Sequence, residues 1–270
     1  MQESSAVRNS APEEQIQGRL VRHLDDLDWH PRGRSRWACA FASGQGTEKL
    51  SLHVLEVSNE TLSVPPQRKS ETVLYVMAGS GMISIAGRGF SVSEGDGVYV
   101  RMAESLMLSP DNDQCLRLVM AICPASDSPW EGNDEAPEAV TEAFDEKYPT
   151  RIVSVGNAAK EATGDRYFKV LVGPKTGSTA VTQFIGSIPR SRAPEHFHRY
   201  EEVICVLSGE GRIHMGESST PVRAGSLIFL PRKQPHCMEC TVDDGIELLG
   251  MFYPAGSPAI NYSSERRKET

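Results

Sequence analysis

The sequence predicts an all-β protein built as two tandem β-barrels. Three observations carry that expectation: an ungapped internal repeat, a strand-and-turn pattern shared by both copies, and a change of composition between them. "ETVLYVMAGSGMISIAGRGFSVSEGDGVYV" (71–100) lies over "EEVICVLSGEGRIHMGESSTPVRAGSLIFL" (201–230), each residue standing 130 positions before its partner. Glu71 falls on Glu201, Val73 on Val203, Val76 on Val206, Gly79 on Gly209, Gly81 on Gly211, Ile83 on Ile213 and Gly95 on Gly225. Register kept across two turns marks the duplication of a whole structural unit. Both copies read as short, β-branched strands separated by glycine-bearing turns at close spacing, which points to a sandwich or barrel rather than a parallel sheet with crossover helices.

Taken in order, residues 1–35 form a polar arm, expected to be mobile or packed across a neighbouring barrel. Residues 36–125 hold the first barrel. Residues 126–164 open with "SDSPWEGNDEAPEAVTEAFDEKYPT", which is acidic, proline-bearing and poor in strand patterning, and read as a linker with one or two helical turns around Ala136 to Phe144. Residues 165–256 form the second barrel and 257–270 a tail.

At 270 residues the chain can bury a sizeable core in one large domain or two ordinary ones. The formal charge of -8, with no basic stripe interleaved with aromatics, argues against nucleic acid as a partner. No segment approaches the roughly 20 apolar residues of a membrane span, and the N-terminus lacks an apolar signal core, so a cytoplasmic protein is expected. The six cysteines are expected to be reduced thiols. Cys237 and Cys240 form a C-x-x-C beside His236, but on a strand they point to opposite faces, which argues against zinc or redox chemistry there.

The chemistry concentrates in "PEHFHRYEEVICVLSGEG" (194–211). Side chains of an extended strand alternate between faces, so His196, His198 and Glu202, all of even parity, converge on one side if the segment stays extended or bends gently near Tyr200. A fourth donor appears in "AGSLIFLPRKQPHCMEC", where Gly225 opens a strand, Pro231 closes it and His236 follows. Three imidazoles and a carboxylate suit one divalent ion among Fe, Mn, Ni, Co and Zn, and leave positions for water or substrate.

These residues resemble the cupin superfamily, whose first motif has the form G-x5-H-x-H-x3,4-E-x6-G and whose second has G-x5-P-x-G-x2-H-x3-N. The first motif matches from His196 to Gly209, with its leading glycine off register. The second matches at Gly225, Pro231 and His236, while Lys233 replaces the internal glycine and Cys240 the asparagine. With the repeat, the resemblance spans roughly residues 40–125 and 165–256 and implies a bicupin, two tandem cupin (jelly-roll type) β-barrels, with His196, His198, Glu202 and His236 as metal ligands. Carried back by 130 positions, the ligands map onto Pro66, Arg68, Thr72 and Leu106, so the first barrel is expected to be metal-free.

The resemblance implies a metal-dependent enzyme acting on a small oxygenated metabolite. The first expectation is a quercetinase-like dioxygenase with Glu202 as catalytic base. The alternatives are a redox-neutral isomerase, lyase or hydrolase, and a non-enzymatic binding module. Among the redox-neutral enzymes, ureidoglycine aminohydrolase is similar in length and in its metal-free first cupin, but its Glu, His, His, Gln ligand pattern differs from His, His, Glu, His here. Arg190, Tyr200 and Met238 are the substrate-binding candidates: Arg190, with Arg192, to neutralise an anion, Tyr200 to donate a proton or shape the bend, and Met238 by its parity with His236. His214 reads as structural, and His23, His30 and His53 lie outside the motif. A homodimer is expected, because sheet edges need covering and the arm around "RLVRHLDDLDWHPRG" can reach a neighbouring sheet.

Overall fold

The computed structural model describes residues 19–43, 46–130 and 143–260. Each repeat folds into a seven-stranded sheet closed by a smaller one. In the first barrel the large sheet runs Ile152–Ser154, Asp96–Val100, Glu71–Ala78, Cys115–Cys123, Ser51–Ser58, Ser35–Phe41, His30–Arg32, and the small one Leu62–Val64, Leu106–Pro110, Ser80–Ile85, Arg88–Ser93. In the second, Val21–His23, Ser226–Leu230, Glu201–Ser208, Ile246–Tyr253, Thr182–Ile188, Arg166–Val172 and Lys160–Thr163 face Ser218–Arg223, Glu210–Met215 and His236–Cys240. Register repeats with sequence: Thr72 opposes Val100 as Glu202 opposes Leu230.

The two large sheets pack back to back, which explains why "ETVLYV" and "EEVICV" are buried without alternation. Odd-numbered residues such as Val73, Tyr75, Val203 and Cys205 join a single apolar cluster shared by both barrels. Even-numbered Leu74 and Val76 face the interior of the first barrel, and Ile204 and Val206 that of the second. Gly79 and Gly209 hold the same place in the two copies, with φ of 86° and 84°, and a Cβ there would strike the carbonyl oxygens of Cys115 and Gly245. Only glycine satisfies both the left-handed backbone and the close approach.

Part of the arm packs across the other barrel, one of the two outcomes expected of it, while the linker departs from the sequence reading. Val21–His23 of the arm pairs with Ser226–Leu230 of the second barrel, and Ile152–Ser154, assigned to the linker, pairs with Asp96–Val100 of the first. Each barrel's sheet edge is therefore covered by the segment preceding the other barrel. Lys160–Thr163, also assigned to the linker, is a further strand. Segments of three or four residues are too short to show alternation, and their extended shape comes from the edge they pair with. Val21–His23 thus finds its sheet within its own chain. Of the helical turns expected around Ala136 to Phe144, residues 136–142 lie outside the described residues, and Asp145 and its two described predecessors are not helical. Among the described residues no helix is long and apolar enough to cross a membrane.

The interior of the first barrel is filled by Leu74, Ile83, Ile85, Leu106, Leu108 and Leu118. Beside Thr72 and Leu106, Glu104 accepts from Arg151 at 2.6 and 2.7 Å, both side chains fully buried. Arg151 Nε also donates to the Tyr148 carbonyl at 2.8 Å, so the charge is well coordinated.

A reciprocal pair of carboxylates joins the barrels. Glu71 accepts from Thr179 N at 3.0 Å, Ala180 N at 3.2 Å and the Ser178 and Thr179 hydroxyls at 2.7 Å. Its repeat partner Glu201 accepts from Glu48 N and Lys49 N at 2.9 Å and Leu50 N at 3.1 Å. Both carboxylates are buried, so removing one strands several backbone donors inside the protein. Glu71→Ala and Glu201→Ala are each expected to lower stability by about 3 kcal/mol in urea unfolding. A loss below about 1 kcal/mol would show that water or a rearranged loop satisfies those donors.

Candidate metal centre

The site is assembled where the loop after Thr182–Ile188 meets the strand His236–Cys240. A two-bond bridge joins them, His196 N to His236 O at 3.0 Å and His236 N to His196 O at 2.8 Å. This places His196, His198 and His236 with potential ligand atoms all within 4.8 Å of one another. Glu202, second residue of Glu201–Ser208, points inward and brings Oε2 to 3.5 Å from His198 Nε2. That spacing allows the carboxylate to share an ion with the imidazoles.

The rings are oriented for ligation. His196 Nδ1 lies 3.0 Å from the Pro194 carbonyl and His236 Nδ1 2.9 Å from the Gln234 carbonyl. A carbonyl only accepts, so each Nδ1 carries the proton and each Nε2 presents its lone pair. His198 is clamped by stacking, with Tyr200 4.5 Å away at 9° and Tyr200 in turn 4.2 Å from Phe252 at 19°. Its carbonyl accepts from Lys233 N at 2.7 Å. Lys233 stands where the family motif has glycine and adopts the left-handed φ of 63°, so the loop keeps its glycine-like shape at a cost of about 1 kcal/mol.

Burial dominates the electrostatics. It pushes the His198 imidazole down to about 3, helped by charge on His236 and His196, and His236 down to about 4. His196 is lowered for the same reason, with Arg166 adding to the effect. Burial also pushes the Glu202 carboxyl up to about 8. Neutral imidazoles are what a divalent ion requires, and a buried acid without a counter-charge is a group that a cation would ionise. The residues therefore fit one divalent metal.

The cluster forms one wall of a cavity of about 140 Å³, lined elsewhere mainly by Phe168, Phe184, Ile204, Ile213, Met238 and Leu248, with Thr163, Arg166 and Tyr167 also contributing. Tyr200 and Met238, both substrate candidates from sequence, line it. Arg190 does not: it is exposed and paired with Asp243 at 2.7 Å, because the strand has ended and the chain faces solvent there. Arg192 is exposed as well. His214 pairs with Glu239 at 2.7 Å, and Cys237 and Cys240 are free buried thiols. Sequence reading missed Arg166, Phe168 and Phe184, which lie outside both motifs and reach the cavity only through the pairing of Arg166–Val172 with Thr182–Ile188.

A cupin domain family matches residues 187–252. Among solved structures, one of Bacillus subtilis oxalate decarboxylase with Mn(II) centres is 13% identical, covers 88% of this chain and 78% of its own, and superposes with a TM-score of 0.68. Another, of oxalate decarboxylase from Bacillus subtilis at pH 4.6, is 13% identical with a TM-score of 0.67, covering 87% and 76%. A third, of oxalate decarboxylase in a study of its substrate binding mode, reaches 0.70 at 13% identity, covering 88% and 78%. At this identity the likeness is one of fold. No curated protein sequence matches the chain.

One equivalent of divalent metal per chain is expected, lost in His196→Ala and His198→Ala variants, as measured by elemental analysis after dialysis. With Glu202 protonated below about 8 and the histidines already neutral, metal uptake at pH 7 is expected to release about one proton per ion. The release is expected to vanish above the Glu202 pKa and in Glu202→Gln, read by calorimetry in two buffers of different ionisation enthalpy. Release unchanged by Glu202→Gln would remove Glu202 from the ligand set.

Proposed function

We propose, from the premise that the chain has the tandem cupin fold with a histidine cluster in its second barrel, that it is a metal-dependent enzyme acting on a small oxygenated metabolite, with dioxygen as oxidant. His196, His198, His236 and Glu202 would hold the ion, which when bound supplies Lewis acidity and, as iron or manganese, access to dioxygen. The observation that carries the reading is the cluster of three histidines, with Glu202 3.5 Å from His198, on the wall of a mostly apolar cavity. Phe168, Phe184 and Leu248 give the cavity its apolar lining, and Tyr200 with Phe252 keeps the His198 ring in place.

Glu202 is the one carboxylate lining the cavity among the described residues. It can take a proton from a substrate hydroxyl or enol. One such deprotonation suffices to start oxidation of an enol or catechol by dioxygen. The cavity is close in size to one that holds benzene in an engineered apolar site. A single ring or a short chain fits, and the body of a three-ring flavonol would stay outside, so the substrate of quercetinase-like enzymes is not carried over.

Oxygen uptake is expected when protein loaded anaerobically with Fe(II) or Mn(II) meets a panel of small enolisable and catecholic compounds. Turnover without oxygen uptake would assign a redox-neutral reaction instead, and saturable binding without turnover a binding module. On a turned-over substrate, Glu202→Gln is expected to lower kcat by about a hundredfold while KM changes little, because the amide cannot accept the proton. Full activity in that variant would leave Glu202 without a role as base.

A homodimer is proposed as the assembly, now through a different surface from the arm. Met82 and Met107 are exposed on one face of the first barrel's small sheet, where Met82 stands opposite Ser109 and Met107 opposite Ser84. Light scattering at micromolar concentration is expected to give twice the chain mass, and Met82→Lys with Met107→Lys to return it to that of one chain.

A further inference from the structure

We propose that Arg166 is the specificity-determining residue of the cavity and that it selects a substrate bearing a carboxylate beside an apolar body. The inference rests on the reading of the cavity as a substrate site and names the class of substrate it takes.

Arg166 is the sole fixed cation among the described residues that line the cavity, which it shares with the three histidines. It opens the strand Arg166–Val172 directly after the turn at Gly164 and Asp165, and pairs across the hairpin with Thr163, another lining residue. Its side chain is 23% exposed, yet its Nε is buried without a hydrogen-bond partner. The nearest acid is Asp165, whose Oδ1 stands 3.7 Å from that nitrogen on a side chain that is 60% exposed. A buried guanidinium N–H left unpaired costs free energy, and an exposed carboxylate beyond hydrogen-bond distance does not satisfy it. The side chain as a whole is 23% exposed and lines the cavity, so a ligand carboxylate there meets a fixed guanidinium whose planar fork matches two carboxylate oxygens at once.

The apolar part of the lining sets the rest of the ligand. Phe168, Phe184, Ile204, Ile213 and Leu248 offer no hydrogen-bonding side chain, so the part of the substrate lying against them is apolar. With one cation at one place and an apolar wall elsewhere, the lining matches one carboxylate rather than two. The remaining oxygen function would face the histidine cluster.

Benzoate and its neutral isostere benzamide test this, each having a ring of the size the cavity takes. Binding is measured by calorimetry on the full chain, both as purified and after chelation, so that an ion cannot be mistaken for the anion's partner. Wild-type protein is expected to prefer benzoate over benzamide by on the order of tenfold to a hundredfold in both states. Arg166→Gln is expected to bring the preference below about threefold, with its melting temperature unchanged, while Asp165→Asn keeps it. If Arg166→Gln does not fold, Arg166→Lys replaces it, with an expected intermediate preference because the fork is lost and the charge kept. A benzoate preference that survives Arg166→Gln, that falls equally in Asp165→Asn, or that is full in Arg166→Lys would overturn the assignment. Metal content measured on the same samples reports separately on the histidine cluster, so loss of one reading leaves the other standing.

Discussion

The constraint on which the rest depends is the exchange of carboxylates between the two barrels. Glu71 and Glu201 occupy the same place in the repeat, and each accepts backbone N–H groups from the loop that leads into a central strand of the opposite barrel. Those loops would otherwise bury unpaired donors, a cost of roughly 1–3 kcal/mol for each group. Charge-assisted hydrogen bonds in a dry interface satisfy them and fix the relative register of the two sheets. The apolar cluster of Val73, Tyr75, Val203, Cys205, Phe229 and Met251 supplies most of the buried area between the barrels, but apolar contact is non-directional. Direction comes from the carboxylates, from Gln183 donating to the Leu74 carbonyl at 3.1 Å, and from the exchanged edge strands.

The same strands position the site through the pleat. Glu201 faces the other barrel and Glu202 faces the cavity, because neighbouring residues of a strand point to opposite sides. Locking one fixes the other. In the first barrel the equivalent pair is Glu71 and Thr72, so the interface is kept while the ligand is absent, and Leu74, Leu106, Leu108 and Leu118 occupy the space that the second barrel leaves open. A duplicated scaffold has thus kept a structural carboxylate in both halves and a candidate metal centre in one.

Keeping that centre carries a cost in the absence of an ion. Burial moves the histidines away from their charged form and Glu202 toward its neutral form, so each site residue stays uncharged near neutral pH. As pH falls from about 6.5 toward 4, the unfolded chain takes up protons at His198 and His236 that the folded one does not, and their contribution to stability declines. As pH rises through the Glu202 window, from the ordinary carboxylate value to about 8, the unfolded chain loses a proton that the folded one retains, and stability again declines. A bound cation offsets both, since it competes with protons for every one of these atoms.

Much of this was legible in the chain itself. The repeat of 130 positions showed two barrels, the period of two placed His196, His198 and Glu202 on one face, and glycines at Gly79 and Gly209 marked turns where no side chain fits. Pleat, turn and spacing act within a few residues, and the repeat is read by comparing the chain with itself, so sequence carries them. Tertiary structure decided what depends on distant partners. The strands Val21–His23 and Ile152–Ser154 are extended because of the edges they meet, and nothing in three residues announces an edge lying more than 50 or 200 positions away. Arg190 and Arg166 divide for the same reason. Arg190 stands close to the ligands in sequence and faces Asp243 in solvent, whereas Arg166 stands 30 residues before His196 and reaches the cavity because Arg166–Val172 pairs beside Thr182–Ile188. A strand's inward direction follows from its sequence period, but what it faces is set by which strands close the barrel around it.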